Sequence, residues 1–245
     1  MFSGCTSLTE APELPATTLA QSCYGSMFYN CTSLTKAPIL PVTTLTSQCY
    51  NYMFYGCTNL TTAPVLPATT LTPYCYYGMF WGCTSLTKTP KLPAMTLADR
   101  CYGSMFEGCT NLIDIPSILP ATELAPSCYD KMFRGCTSIE TAPELPATVL
   151  ANSCYNWMFL GCTNLITAPE LPAPILVEGC YRQLFNGCTK LNNIKCLATD
   201  ISANYCLMNW VYNVAANGTF TKSKDMSNWS TGQNGIPTGW TVEEI

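Results

Sequence analysis

The sequence contains no histidine and little charge. The absence of histidine excludes three features: catalysis by a serine or cysteine with a histidine base, metal sites with histidine ligands, and the usual pH switch. Charged residues make up only 11%, and the 11 basic and 15 acidic residues are scattered, so no clustered basic surface suits nucleic acid. No apolar run is long enough to span a membrane. These absences leave a chain of net charge −4 with few means of catalysis, and we expect no cofactor.

What the sequence has in abundance is repetition. The dipeptide Met-Phe recurs every 26 residues, with one step of 27, and two cysteine positions recur with it. The first cysteine series is Cys5, Cys31, Cys57, Cys83, Cys109, Cys136, Cys162 and Cys188. The second is Cys23, Cys49, Cys75, Cys101, Cys128, Cys154, Cys180 and Cys206. A fixed period of this length is typical of a solenoid, in which stacked neighbours share one core.

Each copy is predicted to form one strand and one helix. Leu8, Ala11 and Leu14 are apolar and are separated by polar or proline positions. A proline that recurs in seven copies, Pro12 in the first, forbids a helix and limits strand pairing. Residues 19–28 are predicted to be helical, because apolar residues recur there at a spacing of four. A glycine before each first-series cysteine, replaced once by Asn30, suits a left-handed stop to that helix.

The repeat A/M-F-x-x-C-x-x-L-x-x-[apolar]-x-[apolar]-P resembles the leucine-rich repeat superfamily. Within it, the pattern looks like the BspA-like repeats of bacterial surface proteins, and it is similar to the 26-residue repeat of bacterial surface lipoproteins. The match covers about residues 1–212. The resemblance implies an α/β fold: a right-handed solenoid with one short strand and one short helix per turn, about eight turns long. It also implies export to the cell surface and a role in adhesion or binding.

The two ends of the chain break the repeat in different ways. We expect residues 213–245, together with Trp210, to cap the last turn, because Trp229 and Trp240 supply large apolar groups there. The N-terminus has no such cap, since Met1 already lies within a repeat. We therefore expect a fragment whose upstream sequence held an export signal, an anchor or further repeats. The alternative is that the open end docks against a partner or a second copy.

The candidate binding site is a patch of aromatic residues at variable positions. The position after Met-Phe holds Tyr29, Tyr55 and Trp81 in three consecutive copies, which would stack into one surface, and Tyr52 varies beside them. Two further variable aromatic residues occur nearby, Tyr77 and Trp157. Exposed aromatic rings can bind a sugar ring or an apolar partner surface. The alternative is that these side chains only decorate a solvated face.

Two other sets of residues leave alternatives open. The first is the variable strand position, which is either a binding face or a solvated one: Glu10, Lys36, Thr62, Lys88, Asp114, Thr141, Thr167 and Asn193. The second is the cysteines, which are buried apolar groups, disulfide partners or metal ligands. Their spacings do not match a zinc motif, so we expect buried free thiols and no metal site.

These observations favour a non-enzymatic, extracellular module that binds a protein or a glycan and does not span a membrane. The alternative is a structural spacer or stalk that projects another domain.

Overall fold

A computed structural model describes all of residues 1–245, and its backbone is a stack of coils in register. Parallel bridges join the variable strand positions of successive copies, for example Glu10 with Lys36 and Thr141 with Thr167. Equivalent residues of neighbouring copies therefore lie directly above one another, as stacked repeats require. The hand of the coil and the number of turns remain predictions.

Proline limits the pairing of the strands. Most copies form single bridges, whereas one three-stranded parallel sheet contains β1 (Asn193–Cys196), β2 (Thr219–Lys222) and β3 (Thr241–Glu244), in that order. Strand β1 lies in the copy where Lys195 replaces the recurrent proline, whose first member is Pro12. A residue with an N–H group lets the ladder continue, so the sheet begins where the proline ends.

The predicted helices do not form. Their place is taken by ten-residue runs of consecutive turns, at 21–30, 47–56, 73–82, 99–108, 126–135, 152–161, 178–187 and 204–213. Hydrogen bonds alternate along each run. The Tyr77 N–H donates to the Tyr74 carbonyl three residues back (3.2 Å), and the next N–H, of Gly78, donates to the Gly103 carbonyl in the following coil (2.8 Å). Half of the amide donors in a run thus bind the neighbouring coil instead of closing a helix.

The helix prediction for residues 19–28 is wrong because the backbone turns left-handed within that segment. Ser22, Tyr24 and Ser26 have φ values of 59°, 63° and 52°, and Asn30 follows with 55°. Left-handed residues at such short intervals interrupt a right-handed helix, and a positive φ at the third residue of a β-turn is typical of type II. The left-handed conformation predicted for Asn30 and the equivalent glycines is confirmed, although no helix stops there.

No helix of the length and apolarity needed to cross a membrane occurs.

The core consists of ladders of identical side chains. Phenylalanine rings of successive copies stack with centroids 5.5–5.9 Å apart, and a parallel tyrosine ladder has spacings of 5.8–6.2 Å. First-series thiols donate hydrogen bonds to phenylalanine carbonyls of the preceding coil, as from Cys57 Sγ to Phe28 O (3.1 Å). Six other first-series cysteines, from Cys31 to Cys188, donate in the same way at 3.0–3.1 Å. Uncharged ladders of this kind tolerate contact with themselves.

The C-terminal segment continues the stack by strand pairing. Strand β2 pairs with β1 at a step of 26 residues, and Thr241 of β3 pairs with Thr219 of β2. Trp210 is fully buried, donates from Nε1 to the Gly235 carbonyl (2.9 Å) and packs on Phe220. Because strand pairing crosses residue 213, the boundary between 1–212 and 213–245 and the role of residues 213–245 as a cap remain predictions.

Candidate functional site

The turn runs present two residues inward and then two outward. In the run 73–82, Cys75 and Tyr76 are buried, Tyr77 is half-buried, and Met79 and Phe80 are buried again. The inward positions are nearly constant from copy to copy, whereas the outward positions vary. Outward side chains of successive coils stand next to one another in columns, and any binding surface on this face is built from those columns.

The four predicted site residues lie together on this face. Tyr29 stacks on Tyr55 with ring centroids 4.5 Å apart, and Tyr55 meets Trp81 edge to face at 5.2 Å. Tyr52 lies beside both, with its ring centroid 6.0 Å from Tyr55 and 6.4 Å from Trp81. All four side chains are half-buried, so each ring is held by its neighbours while part of it faces solvent. Their role in binding remains a prediction.

Two more tyrosines extend this surface. Tyr77 packs edge to face on Tyr52 at 5.3 Å, and Tyr74 lies 5.6 Å from Tyr77, with the Arg100 guanidinium 5.5 Å from its ring. Tyr77 was recognised in the sequence as a variable neighbour, but Tyr74 was missed because its column holds mostly small or polar residues. We call the following six residues the aromatic cluster: Tyr29, Tyr52, Tyr55, Tyr74, Tyr77 and Trp81.

Glycines in the next coil make room for two rings of the aromatic cluster. A Cβ atom at Gly78 would lie 2.6 Å from ring carbons of Tyr52, and one at Gly103 would lie 2.8 Å from ring carbons of Tyr77. Contacts this short do not occur between real side chains, so each ring lies where only glycine allows it. The large residue in one copy and the glycine in the following copy form a matched pair.

An ion pair with a buried carboxylate and a partly exposed guanidinium borders the aromatic cluster. Glu107 follows Trp81 in the same column and accepts a hydrogen bond from Arg134, with Oε1 and Nη1 2.9 Å apart. The second carboxylate oxygen of Glu107 is buried without a partner. Burial raises the pKa of Glu107, and the neighbouring Ser104 hydroxyl and the charge of Arg134 oppose that rise. The column therefore changes from aromatic to charged within one coil.

Trp157, the other aromatic residue noted in the sequence, lies outside the aromatic cluster. Three basic side chains surround its indole ring: Lys131 Nζ at 4.7 Å, Arg134 Cζ at 5.3 Å and Arg182 Cζ at 5.8 Å from the centroid. We call these three the cation cluster. The scattered positions of basic residues in the sequence concealed it, because its members come from three different columns.

The strand edge is the second variable surface; it carries charges of both signs, and two pairs of them form ion pairs. Lys88 and Asp114 form an ion pair at 2.5 Å, and Lys195 pairs with Glu170 at 2.9 Å. A shallow groove on this edge is lined by Glu10, Glu13, Lys36 and Ile39, among others. Paired, solvent-exposed charges contribute little to affinity, so this edge is the weaker candidate.

The thiols and acids do not assemble into a metal site. No three cysteine, aspartate or glutamate side chains lie close enough together to hold a metal ion. All 17 cysteines are free thiols, of which Cys5 is exposed, Cys23 is half-buried and the rest are buried. Burial raises the pKa of Cys57 and of Cys109 to about 12, which keeps these thiols protonated as hydrogen-bond donors.

The stacked coils, in-register bridges and leucine-containing 26-residue period define a leucine-rich repeat protein. The family model described as "BspA type Leucine rich repeat region (6 copies)" matches residues 1–113, 26–165 and 104–223. These matches cover most of the sequence, and the chain belongs to the BspA-type leucine-rich repeat family. The resemblance seen in the sequence is thereby confirmed.

Two further comparisons are weaker. A leucine-rich repeat protein from Bacteroides ovatus ATCC 8483, known from a crystal structure, is similar over 99% of this chain and 76% of its own, with 18% identity and a TM-score of 0.37. No curated protein matches the sequence. A likeness at this level says nothing about what either protein binds.

Proposed function

We propose that the protein is a non-enzymatic extracellular binding module of a bacterial surface protein, and that the aromatic cluster holds a protein or glycan partner. The observation that carries this proposal is the construction of the cluster. Six aromatic side chains occupy variable outward positions, and two of them, Tyr52 and Tyr77, lie over glycines of the next coil. Membership of the BspA-type family supports the location, because proteins of this family are typically found at the bacterial surface.

The geometry suits recognition by contact. The rings are already fixed by stacking and edge-to-face contacts, so a partner would lose little side-chain freedom on binding. Tyrosine and tryptophan combine a large apolar area with a hydroxyl or N–H donor, and interface hot spots are enriched in both. Trp81 has the largest side chain of the cluster and contacts both Tyr55 and Tyr52, so we expect it to be the main anchor.

Alanine substitution tests the proposal against panels of immobilised glycans and extracellular matrix proteins. Trp81→Ala should weaken binding by about 2 kcal/mol or more, as expected for a central aromatic anchor, and Tyr55→Ala should weaken it as well. Tyr212→Ala is the matched control, because Tyr212 is exposed and occupies the same column without an aromatic neighbour. Thermal unfolding of each variant separates lost binding from lost stability.

The same experiment separates binding from the spacer function. Alternate amides bond every coil to the next, which makes the stack rigid and favours a stalk as the second candidate function. A stalk should bind no member of either panel. If the wild-type protein binds nothing, or if a bound partner is held equally well by Trp81→Ala and Tyr55→Ala, the aromatic cluster is not the binding site.

A further inference from the structure

The cation cluster is a concentration of positive charge in a protein of net charge −4. The chain has only three arginines, Arg100, Arg134 and Arg182, and all three lie on the outward face of the turn runs. Lys131, Arg134 and Arg182 gather within 5.8 Å of the Trp157 ring centroid. Like charges repel, and the attraction of each cation to the negative face of the indole offsets that repulsion.

The two acidic side chains that form ion pairs with these cations, Glu107 and Asp130, are less exposed to solvent than the cations are. The Glu107 side chain is 7% exposed whereas its partner Arg134 is 39% exposed. The Asp130 side chain is 10% exposed, and Lys131, whose Nζ is 3.5 Å from it, is 25% exposed. The carboxylates therefore hold the cations from the protein side, and the surface that a ligand meets is positive.

Arg182 is the member of the cluster without any acceptor. No carboxylate forms an ion pair with it, and its buried Nε has no hydrogen-bond partner. Its guanidinium carbon lies 5.8 Å from the centroid of the Trp157 ring, whose face attracts a cation. A guanidinium carries five N–H donors in a fixed fork that matches a carboxylate or sulfate group, and buried polar atoms such as this Nε are normally paired.

We propose that the cation cluster binds the anionic group, carboxylate or sulfate, of an acidic polysaccharide, with Arg182 as the principal contact. The inference rests on the proposed function of this face and names the class of its ligand. Trp81, Glu107 and Arg134 follow one another in a single column, so the aromatic cluster and the cation cluster adjoin. A chain of sugar rings presents apolar ring faces and anionic groups at short intervals, which suits both clusters together. Nucleic acid suits them less, because only three cations gather here on an acidic protein.

Titration of the full chain with polymers of defined charge tests the proposal. The probes are polygalacturonate for carboxylate, dextran sulfate for sulfate and unmodified dextran as the neutral reference. We expect one of the two anionic polymers to bind and dextran to bind at least tenfold more weakly. Arg182→Gln should weaken binding of the anionic polymer about tenfold, the loss expected for one charge-assisted hydrogen bond. Binding should also weaken as salt is raised, because the cations are partly exposed.

A matched control separates a local contact from overall charge. Lys190→Gln removes one positive charge from an exposed residue outside the cation cluster, so it changes net charge by the same amount as Arg182→Gln. Equal loss in the two variants, or no binding of either anionic polymer, would overturn the proposal. Binding of poly-glutamate as tight as that of polygalacturonate would also overturn it, in favour of an acidic protein partner.

A further variant distinguishes this proposal from the proposed function. If Trp81→Ala abolishes binding while Arg182→Gln leaves it unchanged, the aromatic cluster is the binding site and the cation cluster is not. If Arg182→Gln weakens binding while Trp81→Ala does not, the anionic site stands and the aromatic anchor is wrong. Thermal unfolding confirms that each variant is folded.

Discussion

The glycine before each first-series cysteine offers a direct test of the left-handed backbone in the turn runs. Gly82 has a φ of 74°, and a Cβ atom added there would meet only Gly56 atoms at 3.8 Å, an ordinary contact distance. Gly82→Ala therefore creates no clash, and its cost comes from the backbone alone. A left-handed conformation costs an alanine roughly 1–2 kcal/mol, so we expect Gly82→Ala to destabilise the protein by about that amount.

Gly82→Asn is the matched control for this variant. Asn30 already occupies the equivalent position in an earlier copy, with a φ of 55°, and asparagine adopts this conformation more readily than other non-glycine residues. We expect Gly82→Asn to cost less than half as much as Gly82→Ala. Unfolding in urea, followed by circular dichroism, measures both differences.

The comparison refutes the reasoning under one outcome. If the asparagine and alanine variants unfold at the same urea concentration, below that of the wild type, the cost is not the left-handed backbone. The turn geometry assigned to 73–82 would then be wrong. A cost for alanine well below 1 kcal/mol would lead to the same conclusion.

Three other outcomes follow from the packing and the thiols. Gly103→Ala should push the Tyr77 ring outward and change its NMR ring-proton shifts, because the new Cβ would lie 2.8 Å from ring carbons; unchanged shifts would contradict the matched-pair packing. In the native protein only Cys5 should react rapidly with a thiol reagent, whereas all 17 cysteines should react in denaturant; several fast native thiols would contradict their burial. Burial raises the pKa of Cys57 and Cys109 from 9.0 to about 12, so their contribution to stability is complete below pH 9 and is lost as pH rises toward 12. Urea midpoints measured across that interval should fall, and a constant midpoint would refute the linkage.

The stacking of the coils could be predicted from the sequence, but the helix could not. Period, core ladders and the weak strand pairing around Pro12 follow from residue types alone. The apolar residues from Leu19 to Cys31 recur at a spacing of four, and on a helix with 3.6 residues per turn such a stripe would rotate by about 120° over twelve residues. That drift argues against a regular helix. The left-handed positions at Ser22 and Ser26 carry no glycine, so the residue types alone do not indicate the turns.

The part of the candidate site whose residues share one column could be predicted from the sequence. The part whose residues come from several columns could not. Tyr29, Tyr55 and Trp81 occupy one position in consecutive copies, and the structure brings them into contact. The cation cluster combines Lys131 and Arg182 from different positions of the repeat. The helix prediction places these two positions on different sides of a helix. In the structure, consecutive turns direct both of them outward.

The proposed extracellular location and the 17 free thiols need a common explanation, because exposed thiols pair in oxidising surroundings. Apart from the exposed Cys5, the first-series thiols are buried and donate hydrogen bonds to phenylalanine carbonyls, as Cys109 Sγ donates to Phe80 O (3.1 Å). A disulfide between neighbouring coils would remove two such donors from the core. Burial also raises the thiol pKa, which lowers the concentration of the reactive thiolate. Reduced cysteine ladders are therefore compatible with display outside the cell, provided that the stack stays closed to solvent.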